Sequence, residues 1–231
     1  MPVAFGEVLV EKKDFNIEEA LQYGWNIMKA NFWFFVGVLI VAGAIAWVPH
    51  IIAGALAAES AGLSLLFRIV GWAVDVIVSI GLITIALKFL DEKEPKFEDL
   101  FSFKPFFWKY LGASILTGLV VWGGIMLFIV PGVYWALKFQ FFGYFVVEQG
   151  CDPVEAMRKS SRITQSVKWK LLGFGIILWL INIAGAICLL VGLFVTVPVT
   201  LLAYSMVYRK LLSQTESAQA TAIEKEPAAA K

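Results

Sequence analysis

Six apolar runs divide the sequence, and each is close to the length at which a membrane is the only solvent that suits it. A helix needs about 20 apolar residues to cross the hydrocarbon core of a bilayer. The runs at residues 32–55, 63–90, 106–130, 131–147, 171–190 and 193–211 approach or exceed that length. Polar residues are too scarce to coat a water-facing surface instead: 60% of the chain is hydrophobic and 16% charged, against roughly 45–50% apolar in a soluble domain. The expected fold is therefore all-α, a polytopic membrane helical bundle of about six transmembrane helices.

The breaks between runs predict how the helices pair. Only Gly123-Gly124 and Pro131-Gly132 separate the third run from the fourth, and the fifth and sixth part near residues 188–192, with Pro198 shortly after. Such weakly polar breaks predict tight helical hairpins that turn at the far membrane face, giving three hairpins in all. Pro49 and His50 interrupt the first run.

Positive charge sets the expected orientation, because Lys and Arg concentrate in cytoplasmic loops. Of the 19 Lys/Arg, all but Arg68 and Lys138 fall before the first run, in or within four residues of the connections between the second and third and the fourth and fifth, or from Arg209 onward at the end of the last. Both termini are expected in the cytoplasm of a bacterial cell, in its inner membrane. The stretch before Phe32 is polar and mixed in charge rather than a basic stub with an apolar core, so the first span is expected to direct insertion itself. The domain reading is an N-terminal cytoplasmic segment at 1–15, a membrane domain at 16–212 and a disordered cytoplasmic tail at 213–231. The tail is rich in Ala, Ser, Glu and Lys. Shorter interfacial helices are expected near 16–30, 96–104 and 153–167.

The last of these lies in "CDPVEAMRKSSRITQSVKWK", which carries five cationic residues in twenty. Asp152, Pro153 and Glu155 read as N-cap, first-turn proline and capping-box partner. Arg158, Lys159 and Arg162 share one helical face with Glu155, opposite Ala156, Met157, Ser160 and Ile163. That face is expected to lie along the membrane and meet anionic lipid headgroups. The stretch superposes without gaps on "NIEEALQYGWNIMKANFWFFVG", matching Glu19 with Glu155, Trp33 with Trp169 and Gly37 with Gly173. Trp108 and Gly112 in "FEDLFSFKPFFWKYLG" repeat the Trp-x-x-x-Gly spacing. Three units emerge, each an amphipathic lead-in, a Trp at the inner interface, a Gly one turn deeper for close helix approach, and a hairpin out and back. A parallel repeat of the kind some transporters show and a duplicated structural hairpin account for this equally well.

The segments "GWN…KANFWFFVG", "KFEDLF", "VPG…FVVEQGCDPVEAMRKSSRITQSVKWKLLGF" and "VTVPVTLLAYSMVYRKL" resemble a family of uncharacterised multi-span bacterial membrane proteins. That family is related to the membrane domain sometimes fused to glycerophosphodiester phosphodiesterases. The resemblance covers about residues 15–212. It implies a six-helix inner-membrane protein and no activity, since no phosphodiesterase catalytic domain is present.

The residues themselves offer little catalysis. There is one histidine, His50, and the sequence contains no HExxH, GxSxG or Walker lysine motif. Cys151 and Cys188 make no CxxC and are expected near opposite faces of the bilayer. No enzyme, metal or cofactor is expected. Acidic residues beside the basic ones, such as Asp91, Glu92, Glu94, Glu98 and Asp99, argue against nucleic-acid binding. The exceptions within the runs are Arg68, Asp75, Lys138 and Asn182, a candidate intramembrane polar cluster. Arg68, Gly71, Asp75 and Ser79 line one stripe of a helix, and Asp75, Lys138 and Asn182 come out at similar depth when counted from the outer ends. A charge alone in the bilayer centre costs about 2.5–3.5 kcal/mol, so an Asp75–Lys138 bridge is the structural expectation and a small polar cavity the functional one. Two roles follow: a non-enzymatic protein that organises lipid or a membrane protein partner, or a small transporter or channel built on the cluster.

Overall fold

The computed structural model describes residues 13–188 and 191–229, with side chains as far as Thr221. Most of the expected N-terminal segment, the last two residues of the fifth expected span and the final two residues of the tail lie outside the described residues. The rest is helical, with no strand among the described residues. In chain order the helices are α1 (Ile17–Ala30), α2 (Phe32–Ala55), α3 (Ala61–Leu90), a 3-10 turn (Phe97–Phe101), α4 (Phe107–Leu127), α5 (Ile129–Phe139), α6 (Phe142–Gln149), α7 (Pro153–Ile163), α8 (Lys168–Ile187) and α9 (Leu193–Ala229). Four of them, α2, α3, α4 and α8, are long and apolar enough to cross a membrane.

Three departures from expectation have local causes. The fourth apolar run is two helices, α5 and α6, broken at Gln140 and Phe141. The break is held from outside: the Ser160 hydroxyl accepts from Phe141 N–H (3.1 Å) and donates to the Lys138 carbonyl (3.1 Å), which also accepts from Thr164 Oγ1 (3.2 Å). Two fully buried hydroxyls on and just after α7 thus replace the helical bonds lost at the break. Second, the tail from 213 onward continues α9 as helix through Ala229, since Ala, Gln, Glu and Lys are good helix formers extending a nucleus already formed. Third, the capping box at Asp152 does not close. Asp152 is the N-cap and Pro153 the first helical residue, but the Asp152 side chain makes no cap bond. It pairs with Lys109 (3.0 Å), and Glu155 pairs with Lys159 (3.0 Å). Asn16, by contrast, caps α1 by accepting from the N–H groups of Glu18 and Glu19.

The elements repeat as lead-in, outward helix and return: α1–α2–α3, then the 3-10 turn–α4–α5/α6, then α7–α8–α9. Each outward helix packs on its own return, α2 on α3, α4 on α5 and α8 on α9. Each lead-in packs on the return helix of the preceding unit: the 3-10 turn on α3, α7 on α6 and, closing the ring, α1 on α9. One polar link marks each junction: Lys88 on α3 to Asp99 in the turn (2.6 Å), Lys159 on α7 to Gln149 on α6 (2.8 Å), and Lys210 on α9 to Glu19 on α1 (2.5 Å).

Small residues let the lead-ins cross their partners closely. A methyl group at Gly24 would lie 2.4 Å from the Val199 carbonyl oxygen, and one at Gly81 would lie 2.3 Å from that of Leu100. Ser160, which aligns with Gly24 when Glu155 is laid on Glu19, occupies the matching crossing on α6. The three aligned tryptophans also share a position. Trp33, Trp108 and Trp169 are each the second residue of an outward helix and are 80, 77 and 84% exposed. The glycines one turn on do not share a role, because only Gly37 and Gly112 face a neighbour and Gly173 faces open space.

α7 does not lie free on a surface. Ala156, Met157, Ser160 and Ile163 are buried against the bundle, leaving Arg158 and Arg162 exposed. Ser160→Ala should therefore strand the buried Phe141 N–H at the α5–α6 break, at about 1–3 kcal/mol. The expected outcome is a clear drop in the thermal midpoint of the purified protein, whereas Ser161→Ala, one residue on and less buried, should leave it within error.

Candidate functional site

The return helices α3, α6 and α9 all present ionisable residues at the same end of the bundle. Each apolar run closes there on such a residue: "FLDEK", "VVEQG" and "VYRKL". The fold brings the three together. Arg209 donates through Nη2 to Asp91 Oδ1 (2.7 Å), the cap of α3, and pairs through Nη1 with Glu148 Oε1 (2.6 Å) on α6. The other Glu148 oxygen accepts from Tyr208 Oη at 2.5 Å. A single planar guanidinium thus spans all three returns, which a point charge could not do. Tyr23 on α1 faces the same charges. Its hydroxyl is buried without a partner, and burial, followed by the Glu92 carboxylate, raises its pKa.

Behind this junction the interior is aromatic. Tyr208 stacks on Tyr144 with ring centroids 4.8 Å apart, Phe141 lies 4.9 Å from Tyr204, and Tyr204 stacks on Phe174. Tyr144 meets Ser205 (3.4 Å), and Tyr204 donates to Gln140. All the ion pairs among the described residues except His50–Asp75 lie at the charged end.

The four residues expected to cluster do not meet. Asp75 pairs with His50 on α2 (3.1 Å), both side chains being nearly half exposed. Lys138 forms no ion pair among the described residues and rests over the Phe139 ring. The physical reason is helix adjacency: α5, which carries Lys138, packs on α4, α7 and α8 rather than on α3, while Asp75 on α3 meets His50 on α2. Arg68 is exposed on α3. Asn182 donates to the Leu178 carbonyl (3.0 Å) and to Thr200 (3.3 Å). On α7, Lys159 is engaged with Glu155 and Gln149, and Arg158 and Arg162 have no ion-pair partner among the described residues.

Sequence reasoning missed Glu148, Tyr208 and Arg209 as a unit, because they are spread over different runs and each reads alone as a boundary residue. The available signal was that all three return runs end on an ionisable side chain, two acids and one arginine. No group of three or more His, Cys, Asp or Glu that could hold a metal occurs among the described residues. The arrangement's chemistry is that of a clasp, with opposite charges matched across helices and the Tyr208 hydroxyl bonded to a carboxylate.

Residues 106–226 match a family model described as a domain of unknown function, DUF7847. This agrees with an uncharacterised family, and the match makes no connection to the phosphodiesterase-associated membrane domain. No curated protein and no solved structure matches the chain.

If Arg209 works as a fork, Arg209→Ala should lower the unfolding free energy by about 2 kcal/mol, the range for charged hydrogen bonds. Arg209→Lys, which reaches one carboxylate at a time, should recover less than half of that in an SDS or thermal titration. A lysine variant as stable as the parent would mean that one charge is enough.

Proposed function

The chain belongs to the DUF7847 family, a domain of unknown function, and on that footing we propose that it is a non-enzymatic multi-pass membrane protein that organises anionic lipid at its charged end. The observation that carries this reading is the state of the cations there. Lys88, Lys93, Lys109, Lys159, Lys170, Arg209 and Lys210 are all ion-paired within the protein, whereas Arg158 and Arg162 are exposed and unpaired among the described residues. Lys29, Lys96 and Lys104 are exposed as well, but none of them shares a helical face with a second cation. The two arginines project from a helix whose apolar face is already buried, shortly before Trp169, a residue of the kind that sits at headgroup level. Two free guanidiniums at that level suit lipid phosphates, which Arg binds in bidentate fashion.

The charged end is the cytoplasmic end on this reading, in a bacterial inner membrane, with both termini inside. α5/α6 together and the apolar first part of α9 add two crossings to the four long apolar helices, for six. A small transporter or channel is the alternative, and the observation in its favour is the half-exposed His50–Asp75 pair in the apolar half of α2 and α3. An ionisable pair at that depth is costly unless something polar reaches it.

Two measurements test the proposal. The full-length protein, titrated with phosphatidylglycerol and with phosphatidylcholine under native mass spectrometry, should retain the anionic lipid preferentially. At about 1 kcal/mol per cation near a charged surface, Arg158→Gln combined with Arg162→Gln should weaken that retention by roughly 30-fold, and salt should narrow the difference. Equal retention of both lipids by the parent would overturn the reading. For orientation, Cys188 is exposed at the α8–α9 turn and Cys151 is buried beside α7. An impermeant thiol reagent added to intact cells should label the parent and not Cys188→Ser; a parent that labels only after the cells are opened would reverse the assignment.

A further inference from the structure

A lateral groove of about 320 Å3 runs between α8 and α9, and Tyr144, Leu178, Trp179, Asn182, Thr200 and Tyr204 are among its lining residues. No charged side chain lines it, and its volume falls within the range of small-molecule sites. What distinguishes it from a packing defect is the state of its polar atoms, whose protons can be followed one by one.

Asn182 Nδ2 faces the Leu178 carbonyl at 3.0 Å. A carbonyl only accepts, so the amide orientation is fixed and Oδ1 is the atom left over. That oxygen is buried with no partner among the described residues. The Thr200 hydroxyl is already spent as a donor on the Val197 carbonyl (2.9 Å). Tyr204 spends its proton on Oε1 of Gln140, which does not line the groove. Ser205 gives its proton to the Leu201 carbonyl (2.6 Å), so the bond between Tyr144 and Ser205 must be donated by Tyr144. The hydroxyl and amide protons of Asn182, Thr200, Tyr144 and Tyr204 are committed within the protein; the lining also carries the Trp179 indole N–H, and Asn182 Oδ1 is its acceptor left without a donor. A buried acceptor with no donor is a specific cost that a native structure normally explains.

This pattern selects a ligand class. A phosphate or carboxylate brings a charge that no cationic side chain of the lining would receive, and it has no proton to offer Asn182 Oδ1. An ammonium would enter a low-dielectric wall with no counter-charge to receive it. A neutral hydroxyl brings the one missing donor, and the apolar walls suit a hydrocarbon chain. Depth agrees: Asn182 lies thirteen residues past Trp169, about 20 Å along the helix axis at 1.5 Å per residue, far from headgroup level at the charged end. We propose that the α8–α9 groove binds an uncharged lipid bearing a hydroxyl group, a long-chain alcohol in its simplest form, with the hydroxyl donating to Asn182 Oδ1. The site is separate from the cationic face of α7, so either assignment stands or falls alone.

The test uses the full-length protein in phosphatidylcholine nanodiscs with two photoreactive probes, a diazirine-bearing hexadecanol and its methyl ether, which differ only in the donor proton. The alcohol should label peptides from α8 and α9 saturably, with competition by unlabelled hexadecanol. The ether should label about tenfold less at equal concentration, the scale of one hydrogen bond to an otherwise unsatisfied acceptor. Asn182→Leu should bring the two probes to equal, low labelling. Equal labelling by alcohol and ether in the parent, or labelling that does not saturate, would overturn the proposal whether or not the variant folds. Discrimination that survives Asn182→Leu would overturn the assignment of the oxygen.

Discussion

One guanidinium closes the charged end of this bundle. Arg209 reaches acidic partners on two other helices, Asp91 at the end of α3 and Glu148 at the end of α6, and belongs itself to α9. Helices in a membrane gain little from hydrophobic contact with each other, because lipid is as apolar as their side chains, so packing and polar links must specify which helix sits beside which. A fork that needs carboxylates from two other helices at once specifies all three. The aromatic stack behind it, Tyr208 on Tyr144 and Tyr204 on Phe174, can then pack in one register.

The lead-in helices carry the second level of specification. They look like surface amphipathic helices by their charge pattern, yet each buries its mild face on the return helix of the unit before it. In α7 this face does more than pack. Ser160, with Thr164 just beyond the helix, hydrogen-bonds to the backbone where α5 gives way to α6. A break in a helix frees backbone groups that something must satisfy when they are buried, and the hydroxyls supply that. A basic stretch with the charge pattern of a membrane-binding motif is thus, on its inner face, the patch over a broken helix.

The all-helical class and the positions of the hairpins were legible because long apolar runs and Gly/Pro breaks report local physics. The three-unit pattern was legible in part: the Glu, Trp and Gly matches between the first and third units pointed to it, and the Gly24–Ser160 correspondence and the closed order of contacts now give it a spatial form. The polar cluster was not legible. Counting depth along each helix does not say which helices are neighbours, and α5, which carries Lys138, packs on α4, α7 and α8 rather than on α3. In sequence His50 is only an interruption beside Pro49, and its place as the partner of Asp75 is visible only once α2 and α3 are side by side. The helical tail was missed because its composition is common to disordered segments and to the extension of an existing helix.

Closure of the ring also sets the order in which the molecule can be finished. α1 is made first and packs on α9, which is made last; Asp14 and Gln214 exchange two hydrogen bonds across 200 positions of sequence (3.0 and 2.7 Å). During synthesis α1 must therefore wait, its buried face of Ala20, Gly24 and Met28 unmatched, until α9 has been made. The same adjacency makes the sequence nearly circular. The bundle has three seams between units, and the one between α9 and α1 joins helices far apart in the sequence.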